Sequence, residues 1–146
     1  MSTTKSKTQE LDQRRARHAW QAVQAAKSQE GCHKGQDPKK FGGQVRKLSV
    51  RIMASGLGQA LAFLKAKGYA PGLLVELGDW VLNKRNDPHS EKGKPSDTAL
   101  LEYVLKADAI HLRWVTDEAL AYLRWLARFV EAEGLTEDAN QSQDTK

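Results

Sequence analysis

An all-α, single-domain bundle of about six helices is the fold class that the sequence predicts, and three observations carry it. Apolar residues recur at spacings of three and four rather than two. Alternating Val/Ile/Thr runs and Asn-Gly or Asp-Gly hairpin turns are missing. The chain has 146 residues, one domain's worth, enough to bury a core without a disulfide or metal staple.

The elements follow in order. The first helix is expected from about Thr8 to Lys27, with Ala16, Ala19, Trp20, Val23 and Ala26 on its apolar face. Gly31 and Gly35 then mark a loop holding Cys32, His33 and Lys34. Asp37 is a good N-cap for a second helix, with Pro38 at its first position, where the missing N–H costs nothing. Phe41, Val45, Leu48 and Ile52 form its core stripe. Gly42 and Gly43 weaken its first turn, so either a neighbour packs close there or the turn frays. After Ser55 and Gly56, a third helix turns Leu57, Ala60, Leu61 and Leu64 inward and stops at Gly68, in the C′ position. Pro71 opens a fourth helix that buries Leu73, Leu74, Leu77, Trp80 and Val81. Residues 86–94 read as a polar loop. Ser96 caps a fifth helix with Leu100, Leu101, Val104 and Leu105, and a short turn holds Ile110 and Trp114. Thr116 caps the last long helix, with Asp117 and Glu118 in its first turn, where the macrodipole favours acids. Its face is Ala119, Leu120, Leu123, Leu126, Ala127 and Val130, and it ends at Gly134. The expected domain spans 8–134, between a flexible tail at 1–7 and a polar, disordered tail at 135–146.

Composition narrows the functional classes. No apolar run approaches the length of a membrane span, and Met1–Arg17 lacks the apolar core of a secretory signal. A cytoplasmic protein is expected, and the lone cysteine fits a reducing compartment. The net charge is +5, unevenly spread. Residues 1–55 carry 12 Lys and Arg against 4 Asp and Glu, whereas residues 96–146 carry 5 against 10. A basic front and an acidic back suit a polyanion partner and head-to-tail packing between copies.

Catalytic signatures are missing. The four histidines, His18, His33, His89 and His111, are scattered. Cys32 and His33 are adjacent but stand without the further ligands a zinc site needs. Loop or surface positions are expected for Cys32, His33 and His89, and helix-surface positions for His18 and His111. No phosphate loop, dinucleotide fingerprint or nucleophile elbow is present. No catalytic residue, metal or cofactor is therefore expected. The acidic neighbours Glu102 and Asp108, and Asp117 and Glu118, read as solvated surface and helix capping.

The positive signal is basic. Lys40, Lys47 and Arg51 stand seven and four apart on the second helix, with Gln44 filling the missing step. They form one row about a quarter-turn from the core stripe. Such a row can meet successive phosphates and reads charge rather than bases. Lys39 and Arg46 lie nearby, Arg46 on a different side. The first helix adds Arg14, Arg15 and Arg17, and the third adds Lys65 and Lys67. Trp20, Trp80 and Trp114 lie on or beside apolar faces and are expected in the core. On the last helix Tyr122, Trp125 and Phe129 widen the apolar arc, either for burial on two sides or for a partner.

Two segments carry a family resemblance. The run VRKLSVRIMASGLGQALAFLKAKG, Val45–Gly68, and the segment TDEALAYLRWLARFVEA, Thr116–Ala132, resemble the small-subunit family of the type III-B CRISPR RAMP module, the Cmr complex. The GLGQALAFL block, Gly56–Leu64, is the most specific part, and the likeness extends over about Leu11–Gly134. The resemblance implies a helical, non-catalytic subunit of an antiviral ribonucleoprotein loaded with CRISPR RNA. Copies would stack as a minor filament beside the RAMP backbone subunits and the large subunit, along the guide–target RNA duplex. It brings no ligand-binding residue with it, so the candidate contacts rest on charge. Two other readings stay open. One is a helical protein–protein adaptor that never touches nucleic acid. The other is a small helix-turn-helix DNA-binding regulator, although its recognition helix would offer only Gln59 for reading bases.

Overall fold

The computed structural model describes residues 7–136. Among these, six α-helices and no strand are present: α1 (Lys7–Lys27), α2 (Pro38–Ser55), α3 (Leu57–Lys67), α4 (Pro71–Gly78), α5 (Ala99–Lys106) and α6 (Ala109–Ala132). A 3₁₀ turn, Gly31–His33, lies between α1 and α2, and a π-helical segment, Asp79–Lys84, prolongs α4. The expectations for 1–6 and 137–146 fall outside the described residues. Among the described residues no helix is long and apolar enough to cross a membrane.

The helix α6 is the spine, with α1 and α2 packed along it and the π segment against its first half. The smaller α3 and α4 pack on α2 and on each other, and α5 packs on both of them. The α2 stripe Phe41, Val45, Leu48 and Ile52 is buried, as its spacing requires, and so are Leu57, Ala60, Leu61 and Leu64 of α3. The Asp37 carboxylate accepts from the Lys39 amide at 2.9 Å, so the expected cap forms ahead of Pro38. Gly68 takes the left-handed conformation, φ 64°, that ends α3. Gly42 resolves the choice between close packing and fraying. A Cβ there would run into the Leu135 carbonyl and the Val130 side chain. Leu135, placed in a disordered tail by the sequence, is instead buried, and its amide donates to the Val130 carbonyl.

Several helix boundaries and faces differ from expectation. Asp108, not Thr116, caps α6, its carboxylate accepting from the His111 amide. Thr116 lies inside the helix and its hydroxyl donates to the Leu112 carbonyl. The expected short turn at Ile110 and Trp114 is therefore the first part of α6. It runs outward, with Ile110 79% exposed. The fifth helix starts at Ala99, and the Ser96 hydroxyl meets the amide and hydroxyl of Thr98 ahead of it rather than capping the helix. Leu105, expected inward, is exposed, because α5 packs through Leu100 and Val104, with Leu101 and Tyr103 partly buried beside them. Of the three tryptophans expected in the core, only Trp80 is there. Trp20 and Trp114 sit at the surface, Trp20 against Phe129 and Trp114 under the Arg85 guanidinium.

Candidate nucleic-acid interface

The basic residues that the sequence groups together separate into two kinds. On α1, Arg14 and Arg15 are turned into the molecule. Arg14 donates to the backbone carbonyls of Lys84 and Arg85, both at 2.7 Å, and closes the end of the π segment. Arg15 grips Glu118 with two nitrogens, at 2.6 and 2.9 Å, and Asp12 with a third. Glu118 also accepts from Trp80 Nε1 and Arg85 Nε, both at 2.8 Å. Burial pushes the Glu118 carboxyl up, but the hydrogen bonds from Arg15, Trp80 and Arg85 outweigh it and hold the group below its ordinary value. Glu118, read from sequence as helix-surface capping, is thus a buried anchor for two cations. Arg14 and Arg15 are thus both engaged by partners within the subunit. Arg17 is exposed.

On α2 the cations stay outside. Lys39, Lys40, Arg46 and Lys47 are exposed and Arg51 is half-exposed. Among the described residues none of them, nor Lys67, forms an ion pair. Aromatic faces steady some of them instead: the Lys40 ammonium lies 4.9 Å from the Tyr69 ring, and Arg51 lies 4.4 Å from the Phe63 ring, which Lys67 also approaches. Gln44, the missing step of the row, is buried and accepts from Arg51 Nη1 at 2.9 Å, which braces the guanidinium at its level on the helix. Lys40, Lys47, Arg51 and Lys67 thus share the α2–α3 side with an exposed Phe63. Lys65 differs, since its ammonium pairs with Asp97 at 2.9 Å.

Arg46, on another side of α2, meets two residues that sequence reasoning passed over. It lines a shallow groove with Arg124 and Arg128 of α6. The signal was available, since Arg124 and Arg128 are four apart on one helix, but the acidic balance of the last third masked it. Trp125 and Phe129, on the same helix but toward α1, are half-buried and stacked at 5.5 Å, with Trp125 Nε1 donating to Asp12 and Phe129 against Trp20. Tyr122 does not belong with them. It is fully buried, and its hydroxyl lies 2.6 Å from His18 Nδ1. The candidate partner surface on α6 is therefore reduced to Trp125 and Phe129, joined by Trp20.

Three residues expected on loops or surfaces join a buried polar cluster. His33 is 1% exposed, and its Nε2 stands 2.8 Å from Glu76 Oε2. Cys32, half-buried, directs its thiol at the same oxygen. His18 Nε2 stands 2.9 Å from Asp79 Oδ2. Burial pushes the Cys32 thiol up to about 11, with the Glu76 charge adding to it.

Two comparisons bear on this arrangement. A family model described as "CRISPR-associated protein (Cas_Cmr5)" matches residues 11–133. The fold is similar to the crystal structure of a CRISPR-associated Cmr5 family protein from Thermus thermophilus, with 28% sequence identity and a TM-score of 0.66. That likeness covers 86% of this chain and 97% of the other.

Proposed function

Because the chain belongs to the Cmr5 family of CRISPR-associated proteins, we propose that it is the small, non-catalytic structural subunit of a type III-B effector and lays its α2 face along RNA held by that complex. The observation that carries the RNA contact is the row Lys40, Lys47 and Arg51, three cations without a carboxylate partner among the described residues, joined by Lys67 and the exposed Phe63. A surface of that kind neutralises phosphates, and its contribution falls with salt. Arg46 and Arg124 extend the positive surface round α2, while Arg128 beside them is paired with Glu131 at 3.3 Å. The non-catalytic role agrees with the pairing of the buried carboxylates, which stabilise arginine, lysine and histidine rather than converge on an open cleft.

Other surfaces support docking to the RAMP backbone subunits, to the large subunit and to further copies in a minor filament. Leu105 and Ile110 are exposed near an apolar groove lined by Leu57, Leu101, Val104 and Leu112. Asp108 and Asp117 lie at the same end of α6 and suit the basic front of a neighbouring copy. Antiviral defence and a cytoplasmic setting follow from the role in such a complex.

The test is the triple variant Lys40→Glu/Lys47→Glu/Arg51→Glu in the assembled complex. RNA binding should weaken, and the log–log dependence of affinity on salt should become shallower by about 0.7 for each single-strand phosphate no longer neutralised. Unaltered affinity and slope in a complex of normal composition would rule out the α2 face as the RNA contact.

A further inference from the structure

We propose that Cys32, His33 and Glu76 form a binding site for a borderline-soft divalent cation, zinc in the first place. Three ligand atoms of three kinds converge there: a sulfur, an imidazole nitrogen and a carboxylate oxygen, all within 4.8 Å of one another. Zinc accepts this set, and Cys, His and Glu are its ordinary protein ligands.

The convergence is built by the fold. The 3₁₀ turn that carries Cys32 and His33 is clamped to the start of α4 by Gln36, whose amide donates to the Cys32 carbonyl at 2.7 Å and accepts from the Gly72 amide at 3.1 Å. Gly72 must lack a side chain, because a Cβ would enter the His33 ring. With the turn pressed down, both ligands face one turn further along α4, where Glu76 sits.

The chemistry at Glu76 is specific. Its Oε1 is held by the Lys94 ammonium at 2.7 Å. Its Oε2 faces both His33 Nε2, at 2.8 Å, and the Cys32 sulfur, at 3.8 Å. One oxygen thus faces two groups that are metal ligands once each presents a lone pair. In a tetrahedral zinc site with bonds of about 2.0–2.3 Å, ligand atoms stand about 3.3–3.7 Å apart. The sulfur stands near that spacing from Oε2, at 3.8 Å, and the His33–Glu76 pair needs to open by about half an ångström. Binding releases the thiol proton to solvent and places the remaining imidazole proton on Nδ1. The cation is then neutralised by the thiolate and the Glu76 carboxylate, and Lys94 keeps its hydrogen bond to Oε1. Cys32 is half-exposed, so the fourth position opens toward water on its side.

The test uses the full chain, reduced and stripped with a chelator, titrated with cobalt(II) as a spectroscopic probe and then with zinc. A thiolate-to-cobalt charge-transfer band at one equivalent, displaced by zinc, is the expected result. Cys32→Ser should abolish the band, and His33→Gln should weaken zinc at least about tenfold. Cys32 is half-exposed, so its variant tests the site even if His33→Gln fails to fold, with circular dichroism as the check. The site is refuted if no band appears, or if Cys32→Ser binds zinc as tightly as the parent chain.

Discussion

The α1 and α2 helices are both rich in basic residues, yet their cations meet opposite fates. Arg14 and Arg15 of α1 are drawn inward, onto backbone carbonyls and onto Glu118. Lys40, Lys47 and Arg51 of α2 remain outside, with Lys40 resting on Tyr69 and Arg51 on Phe63 and Gln44. The difference lies in what the opposing helix offers. The part of α6 that α1 packs against presents Glu118, a carboxylate 5% exposed, and a buried carboxylate must be paired. The side of α2 that faces α3 meets Phe63 and no acid. Basic composition therefore nominates a surface, and the position of acids on neighbouring helices decides which part of it is free to bind a polyanion.

The strongest way to break this comparison is to remove the acid. Glu118→Gln leaves Arg85 without its carboxylate and Arg15 with Asp12 alone, and should cost about 3 kcal/mol of stability, read as a lower chemical-denaturation midpoint. The same residue sets a pH dependence. The Glu118 carboxyl titrates below its ordinary value of 4.5 in the folded chain. Its contribution is therefore full above that value and is lost as pH falls through the lower folded one. Glu76 and Asp79 are held low as well, by His33 and Lys94 and by His18 against their burial. Acid destabilisation should therefore become shallower in Glu118→Gln without vanishing. Equal acid slopes in the two proteins would show that Glu118 is not the anchor described.

Most of the fold was legible in the sequence, because burial at spacings of three and four is a property of the helix itself. The α2 and α3 stripes are of this kind, and so is the Asp37–Pro38 start. What was not legible depends on partners distant in the chain. Tyr122 looked like part of an aromatic surface until His18, 104 residues away, took its hydroxyl. His33 looked like a loop residue, because nothing near it announces Glu76 across 43 positions. The α2 row was readable as a row, but its lack of a carboxylate partner among the described residues was not. The Lys65 pair with Asp97 was hidden for the same reason.

A second contrast tests the packing between α2 and the end of α6. Gly→Ala inside a helix ordinarily stabilises by about 0.5–1 kcal/mol. At Gly58 of α3 a Cβ meets only Val104 Cγ1, at 3.4 Å, so Gly58→Ala should be neutral or mildly stabilising. At Gly42 the Cβ meets the Leu135 carbonyl, a backbone group that cannot rotate away. Gly42→Ala should reverse the sign and destabilise by about 1–3 kcal/mol. Thermal melts of the two variants give the comparison directly. An equal effect at both sites would mean that residues 134–136 do not dock where the structure puts them.

The smallest expected effect on stability gives the sharpest reading of the α2 face. Lys47 and Lys65 are both exposed lysines, on adjacent helices. Lys65 holds Asp97 in a surface ion pair, and such a pair contributes under about 1 kcal/mol. Lys47 has no carboxylate partner among the described residues, and its loss should change stability by less than about 0.5 kcal/mol. Stability alone hardly distinguishes them. RNA affinity should, because a lysine already paired with Asp97 must give up that partner before it meets a phosphate, whereas Lys47 gives up only water. In the assembled complex, Lys47→Ala should lower RNA affinity and flatten its salt dependence, and Lys65→Ala should leave both nearly unchanged. If the two behave alike, ion pairing within the subunit does not select its RNA contacts, and the distinction drawn between paired and free cations loses its functional meaning.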